Sequence, residues 1–174
     1  AAGLLVTFTR STNLSKMTME TIRLYKEVEE RLGVSCGLRQ VGQLRVANTR
    51  ERWDEFQSYI GIAEQAGVPA RLVTPSEILE LAPLLSPSPD IIGGLFHPED
   101  GYINPSDITM GMAKLAQDMG ATIHQNTAAL GYEQLPDGGW HVRTSAGEIR
   151  CEHLVFATGN YARENAKRVG IDLP

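Results

Sequence analysis

The stretch Leu154-Val155-Phe156-Ala157-Thr158-Gly159-Asn160-Tyr161 decides how the chain is read. Four apolar residues run into Thr158, Gly159 and a polar Asn160, with none of the alternation of an ordinary hairpin. A short apolar run bounded by turn residues predicts a fully buried strand, and a glycine at its carboxyl end lets another backbone or a ligand come close. The strand is therefore expected to end at something bound.

Working outward, residues 130–135, 140–144 and 148–157 form three expected strands, joined by turns at Pro136-Asp137-Gly138-Gly139 and Ser145-Ala146-Gly147. Residues 121–127 are a further expected strand, with a gap at Ala128-Ala129. Before them, Asn104 caps a helix opened by Pro105 and closed by Gly120, with Ile108, Met112, Leu115 and Met119 facing inward. A Pro/Ser-rich loop over residues 84–94 precedes a strand through Leu95, Phe96 and His97. Further upstream, Thr74, Pro75 and Glu77 have the spacing of a capping box behind a short strand. Trp53, Phe56, Ile60 and Ala63 stripe one helix ending at Gly67. Met17, Thr21, Leu24, Val28 and Leu32 stripe another, ending at Gly33, and two short strands broken near Gly42 lie between the two helices. This alternation predicts an α/β or α+β fold with mixed sheets.

Composition limits the function. The chain has 174 residues, 42% hydrophobic and 21% charged, which is the balance of a globular protein. A net charge of −5 and a pI near 5.4 exclude nucleic acid as the main partner, because phosphate backbones are held chiefly by Lys and Arg. No apolar run approaches the roughly 20 residues of a membrane span, and residues 1–13 lack a signal-peptide pattern, so an intracellular protein is expected. Cys36 and Cys151 lie far apart without a CxxC, which argues for two small buried residues and against a disulfide framework. His97, His124, His141 and His153 have no ligand spacing, and no metal site is expected. Glu99 and Asp100 are expected in the turn feeding the Pro105 helix, with an acid/base pair as the alternative. His141 and Arg143, alternating with Trp140 and Val142, are expected on the solvated face of a strand.

Three motifs carry a resemblance: Ala1-Ala2-Gly3-Leu4-Leu5, the segment Gly94–Pro105 with Asp100-Gly101-Tyr102-Ile103-Asn104-Pro105 at its end, and Ala157–Pro174. Together they resemble the dimethylglycine and sarcosine dehydrogenase group of the D-amino-acid-oxidase-like flavoproteins. The resemblance implies a two-dinucleotide-binding fold, with residues 1–12 and 101–174 forming an incomplete FAD-binding unit and residues 13–100 part of a substrate-binding unit. It implies that Ala2, Gly3 and Leu4 approach the isoalloxazine and that Ala129 lies near the adenine. Ala157, Thr158 and Gly159 would pass the cofactor, with Tyr161 at the flavin edge. The family's GxGxxG and its two histidine-bearing segments have no counterpart in this sequence, so the chain is expected to be an internal fragment that binds little or no FAD alone and self-associates.

The implied activity of the complete protein is flavin-dependent oxidation of a C–N bond in an N-methylated amino acid, with oxygen or an electron-transfer protein as acceptor, in the cytoplasm or mitochondrial matrix. A regulatory relative that keeps the fold without amine oxidation is the alternative. No catalytic residue is assigned. Arg10, Arg39, Arg45 and Tyr102 are unranked candidates for a substrate carboxylate. Tyr102 and Asn104 depart from the group's common Asp-Gly-His-Ile-Asp-Pro, and Asn160 from its frequent aromatic, which blurs the substrate.

Overall fold

A computed structural model describes residues 3–174, and Ala1 and Ala2 lie outside the described residues. The chain divides into two units, Ala1–Ala121 and Thr122–Pro174.

In the first unit the elements run β1 (Leu4–Leu5), α1 (Thr12–Leu32), β2 (Gln43–Ala47), α2 (Arg50–Ala66), β3 (Arg71–Val73), α3 (Pro75–Leu81), β4 (Gly93–His97), β5 (Gly101–Tyr102) and α4 (Pro105–Asp118). Local signals set most helix ends. Ser11 caps α1, Thr49 caps α2, and Asn104 caps α4 by accepting from the Ser106 and Asp107 amides. Thr74 and Glu77 complete the capping box of α3 in both directions. Gly33 and Gly67 take left-handed conformations just past α1 and α2, as a C-terminal glycine does.

The strands form two small sheets. The central strand β4 pairs antiparallel with β2 on one side and β3 on the other. The short β1 pairs antiparallel with β5, Leu4 opposite Tyr102 and Leu5 opposite Gly101, so Leu4 and Leu5 are bound to the segment just before α4. Phe8, Ala47, Phe56 and Leu95 anchor one apolar cluster under α2, while Leu5, Ile22, Val28 and Ile108 anchor another between α1 and α4. Fully burying a side chain such as Phe56 or Leu95 contributes about 1.5–3 kcal/mol.

The second unit contains β6 (Ala129–Gln134), β7 (Trp140–Thr144), β8 (Gly147–Cys151), a single 3₁₀ turn at Gly159–Tyr161 and α5 (Ala162–Arg168). The three strands form an antiparallel meander in chain order, joined by the two expected turns. Val142 is buried while Arg143 faces solvent and His141 lies near Glu148 (3.2 Å), consistent with the alternation.

Several expectations are corrected. Residues 152–158 form no strand, and Val155 is 83% exposed, because no strand among the described residues pairs with them to satisfy the backbone. Residues 121–127 likewise form no strand. Ala129 therefore opens β6 instead of following a strand. On α1 the buried positions are Ser15, Ile22 and Val28, while Met17 and Leu24 face outward. On α4, Ile108 and Gly111 are buried and Met112 and Met119 exposed. Helix α4 packs closely on α1 there: a Cβ at Gly111 would meet Val28 at 3.0 Å and Cys36 at 3.1 Å. Cys36 is buried as expected, but Cys151 is only half-buried. The first of the two strands expected around Gly42 is reduced to one bridge, Arg39 to Tyr102.

Candidate functional site

In the second unit the site residues sit where the chain leaves the meander. After β8 the backbone runs irregularly through Leu154–Ala157 and turns at Thr158, whose carbonyl accepts from the Tyr161 amide (3.0 Å). Gly159 has φ +54°, in the left-handed region where a side chain is strained, yet a Cβ there would meet nothing within 4 Å. Ala157 is exposed, as is Ala129 at the start of β6, and Tyr161 is 68% exposed. The hydroxyl of Thr158 is buried without a hydrogen-bond partner among the described residues. Small side chains, open space and an orphaned hydroxyl on one turn fit a bound group with polar atoms.

Three residues outside the expected set brace this turn. The Tyr132 hydroxyl of β6 donates to Asn165 Oδ1 of α5 (2.8 Å), and its ring stands edge-on to Phe156 at 4.9 Å. Asn165 Nδ2 donates in turn to the Tyr161 carbonyl (2.8 Å). Tyr132 is half-buried, and the partner its hydroxyl finds links β6, the turn and α5. Their sequence separation hides the arrangement, since Tyr132 and Asn165 are 33 residues apart.

In the first unit Gly3 has φ +71°, and a Cβ there would lie 2.3 Å from the Ile103 carbonyl oxygen. The Ile103 amide donates to the Gly3 carbonyl (2.8 Å). The glycine of Ala1-Ala2-Gly3 is thus demanded by the protein's own backbone, and Leu4 beside it is 70% exposed. Ala2 lies outside the described residues.

The four candidates for a carboxylate ligand separate. Arg10 is engaged by Tyr59 and Glu55, and Glu55, hydrogen-bonded by Tyr59 and then Arg52, is held at about 2. Arg45 is half-buried and bonded to Gln43. Arg39 and Tyr102 face each other across their bridge, both exposed, and neither is bonded to another side chain among the described residues. No group of His, Cys, Asp or Glu suited to a metal ion occurs among the described residues.

Glu99 and Asp100 part company: Glu99 is exposed, while Asp100 is completely buried beside an equally buried His97. Burial pushes the His97 imidazole below its usual value of 6.5. The Asp100 charge pulls the other way, Arg45 adds to the depression, and the Pro69 carbonyl favours the charged ring without meeting hydrogen-bond geometry. Below pH 6.5 the unfolded chain takes up a proton that the native ring resists. His97 therefore favours the native state fully above that pH, and the contribution is lost as pH falls from there through the native value. Carboxylates with lowered values, such as Glu29, Glu55 and Asp137, act below their ordinary 4.5 or 3.8 and leave this window clear. Urea midpoints measured across about pH 5 to 8 should fall on the acid side, and His97→Gln should flatten the fall. Parallel curves would contradict the assignment.

Compared with known proteins, residues 1–174 match the family described as FAD dependent oxidoreductase. The chain belongs to that family. It is 36% identical to rat (Rattus norvegicus) mitochondrial dimethylglycine dehydrogenase over all 174 residues, which span 20% of that protein's length. It is 28% identical over 163 residues to the mitochondrial pyruvate dehydrogenase phosphatase regulatory subunit of Mus musculus, covering 94% of this chain and 18% of that protein. Among solved structures, glycine oxidase from Geobacillus kaustophilus superposes with a TM-score of 0.82 at 27% identity, over 99% of this chain and 48% of the other. The mixed α/β architecture is thus that of the FAD-dependent oxidoreductases, and the chain spans about one fifth of the length of these two curated relatives. No described helix is long and apolar enough to cross a membrane.

Proposed function

We propose that the whole protein containing this chain oxidises the C–N bond of an N-methylated amino acid of the dimethylglycine or sarcosine type, using FAD. The observation that carries this reading is the full-length match of the chain to a dimethylglycine dehydrogenase. FAD, when bound, takes the hydride equivalent, which no amino-acid side chain can accept. This chain's residues bind and orient. Ala157, Thr158 and Gly159 give the cofactor a passage without bulk, with Tyr161 at its edge and Ala129 toward the adenine. Ala2, Gly3 and Leu4 approach the isoalloxazine. Arg39 and Tyr102 meet the substrate carboxylate, because they are the candidates left free of side-chain partners among the described residues.

In this reading residues 1–12 and 101–174 belong to the FAD-binding unit and residues 13–100 to the substrate unit. The pairing of β1 with β5, which binds the first segment to the third, supports that division. Oxygen or an electron-transfer protein takes the electrons from the reduced flavin. The site of action is intracellular, the mitochondrial matrix or the cytoplasm.

The second reading, a regulatory protein that keeps the fold without amine oxidation, is favoured by the similarity to the phosphatase regulatory subunit. Anaerobic addition of sarcosine or dimethylglycine to the flavin-loaded whole protein separates the two. Bleaching of the flavin absorbance is expected. Bound flavin that no N-methylated amino acid bleaches would overturn the first reading in favour of the second.

A further inference from the structure

The buried polar side chains among the described residues are Thr7, Ser15, His97 and Asp100: Thr7 lies in the stretch 7–9, Asp100 and Ser15 bond its backbone, and His97 stacks on its Phe8 ring. That stretch follows β1 but has no strand partner of its own among the described residues. Side chains take over the work of a ladder. Asp100 Oδ1 accepts from the Thr7 amide (2.7 Å) and from the Thr7 hydroxyl. The Thr18 hydroxyl donates to the Thr7 carbonyl (3.0 Å), and Ser15 Oγ accepts from the Thr9 amide (2.9 Å). The His97 ring stacks on Phe8, with centroids 5.2 Å apart and planes 14° from parallel.

Asp100 is itself held by backbone. Its carbonyl accepts from the Gly42 amide (2.8 Å), and it directly precedes Gly101 of β5. A completely buried carboxylate costs far more than a buried amide unless its oxygens are engaged, and here one oxygen is spent wholly on Thr7. Asp100 Oδ2 and both His97 ring nitrogens have no partner among the described residues. An apolar residue would fill the same space without that cost, so the carboxylate is explained by what it holds.

We infer that Asp100 is a positioning residue for the flavin: by gripping the Thr7 amide and hydroxyl it fixes the segment from Gly3 to Phe8 that presents Gly3 and Leu4 to the isoalloxazine. The inference rests on the proposed flavin seat, while the grip itself stands on the hydrogen bonds of this chain.

The test has two arms. In the first, hydrogen exchange is followed on the 174-residue chain. Asp100→Ala should lower protection of the Thr7 amide at least tenfold and leave α2 and β4 protected. Asp100→Asn keeps an acceptor oxygen and should restore most of it. Unchanged protection at Thr7, or a loss spread evenly over α2 and β4, would overturn the grip. Should the alanine variant fail to fold, the wild-type Thr7 amide decides: protection well above that of the exposed loop amides supports the grip, and exchange as fast as theirs refutes it. In the second arm, visible circular dichroism of the flavin in the FAD-loaded whole protein should change in Asp100→Ala and be retained in Asp100→Asn. An unchanged spectrum in the alanine variant, with loss at Thr7 seen, would overturn the flavin part alone. A wild-type whole protein that takes up no FAD would overturn the proposed function and the flavin part together, leaving the grip to the exchange data.

Discussion

Gly159→Val is expected to strip FAD from the whole protein while leaving its far-ultraviolet circular dichroism almost unchanged. The effects on fold and cofactor separate because of where Gly159 sits. Its φ of +54° makes any side chain strained, costing about 1–2 kcal/mol, yet a Cβ there would touch nothing within 4 Å. The chain alone should therefore lose only that modest stability. A valine side chain projecting into the open space around Gly159 would take the room that the proposed reading gives to the cofactor. Flavin content and thermal melts on both proteins decide it. Equal flavin occupancy would remove Ala157-Thr158-Gly159 from the proposed seat.

Gly3, in the first unit, should behave in the opposite way. Gly3→Ala is expected to destabilise the chain by about 3 kcal/mol, combining a left-handed conformation with overpacking against rigid backbone. The added Cβ would fall 2.3 Å from the Ile103 carbonyl oxygen and 3.1 Å from the Pro105 ring. Relief requires parting Gly3 from Ile103, which breaks the 2.8 Å hydrogen bond between them and strains the adjoining β1–β5 pairing. A urea midpoint that does not move would contradict this geometry. The pair of variants thus separates a glycine demanded by the fold from one whose open surroundings fit a ligand.

What the sequence made legible follows the range of the interactions. The capping box at Thr74 and Glu77, the glycine ends of α1 and α2, and the two turns of the meander all arise within a few residues, and they stand as expected. The helix faces were less legible. Met17 and Leu24 share a stripe with Val28, but which stripe is buried depends on where α2 and α4 lie, and those contacts favour Ser15 and Ile22. Leu154–Ala157 has the composition of a buried strand, yet a strand exists only with a partner to complete its hydrogen bonds, and none is found among the described residues. The burial of Asp100 was hidden for the same reason, since its partner Thr7 lies 93 residues away. At the candidate site, Ala157-Thr158-Gly159 was singled out through the family resemblance, since three small residues after an apolar run are common in any turn, whereas the bracing by Tyr132, Phe156 and Asn165 required the fold.

The most direct test of the central claim is the flavin content of the whole protein, purified and then reconstituted with FAD. A stoichiometric flavin spectrum that persists through gel filtration and is lost in Gly159→Val is expected. A folded wild-type protein that retains no FAD under those conditions would contradict it.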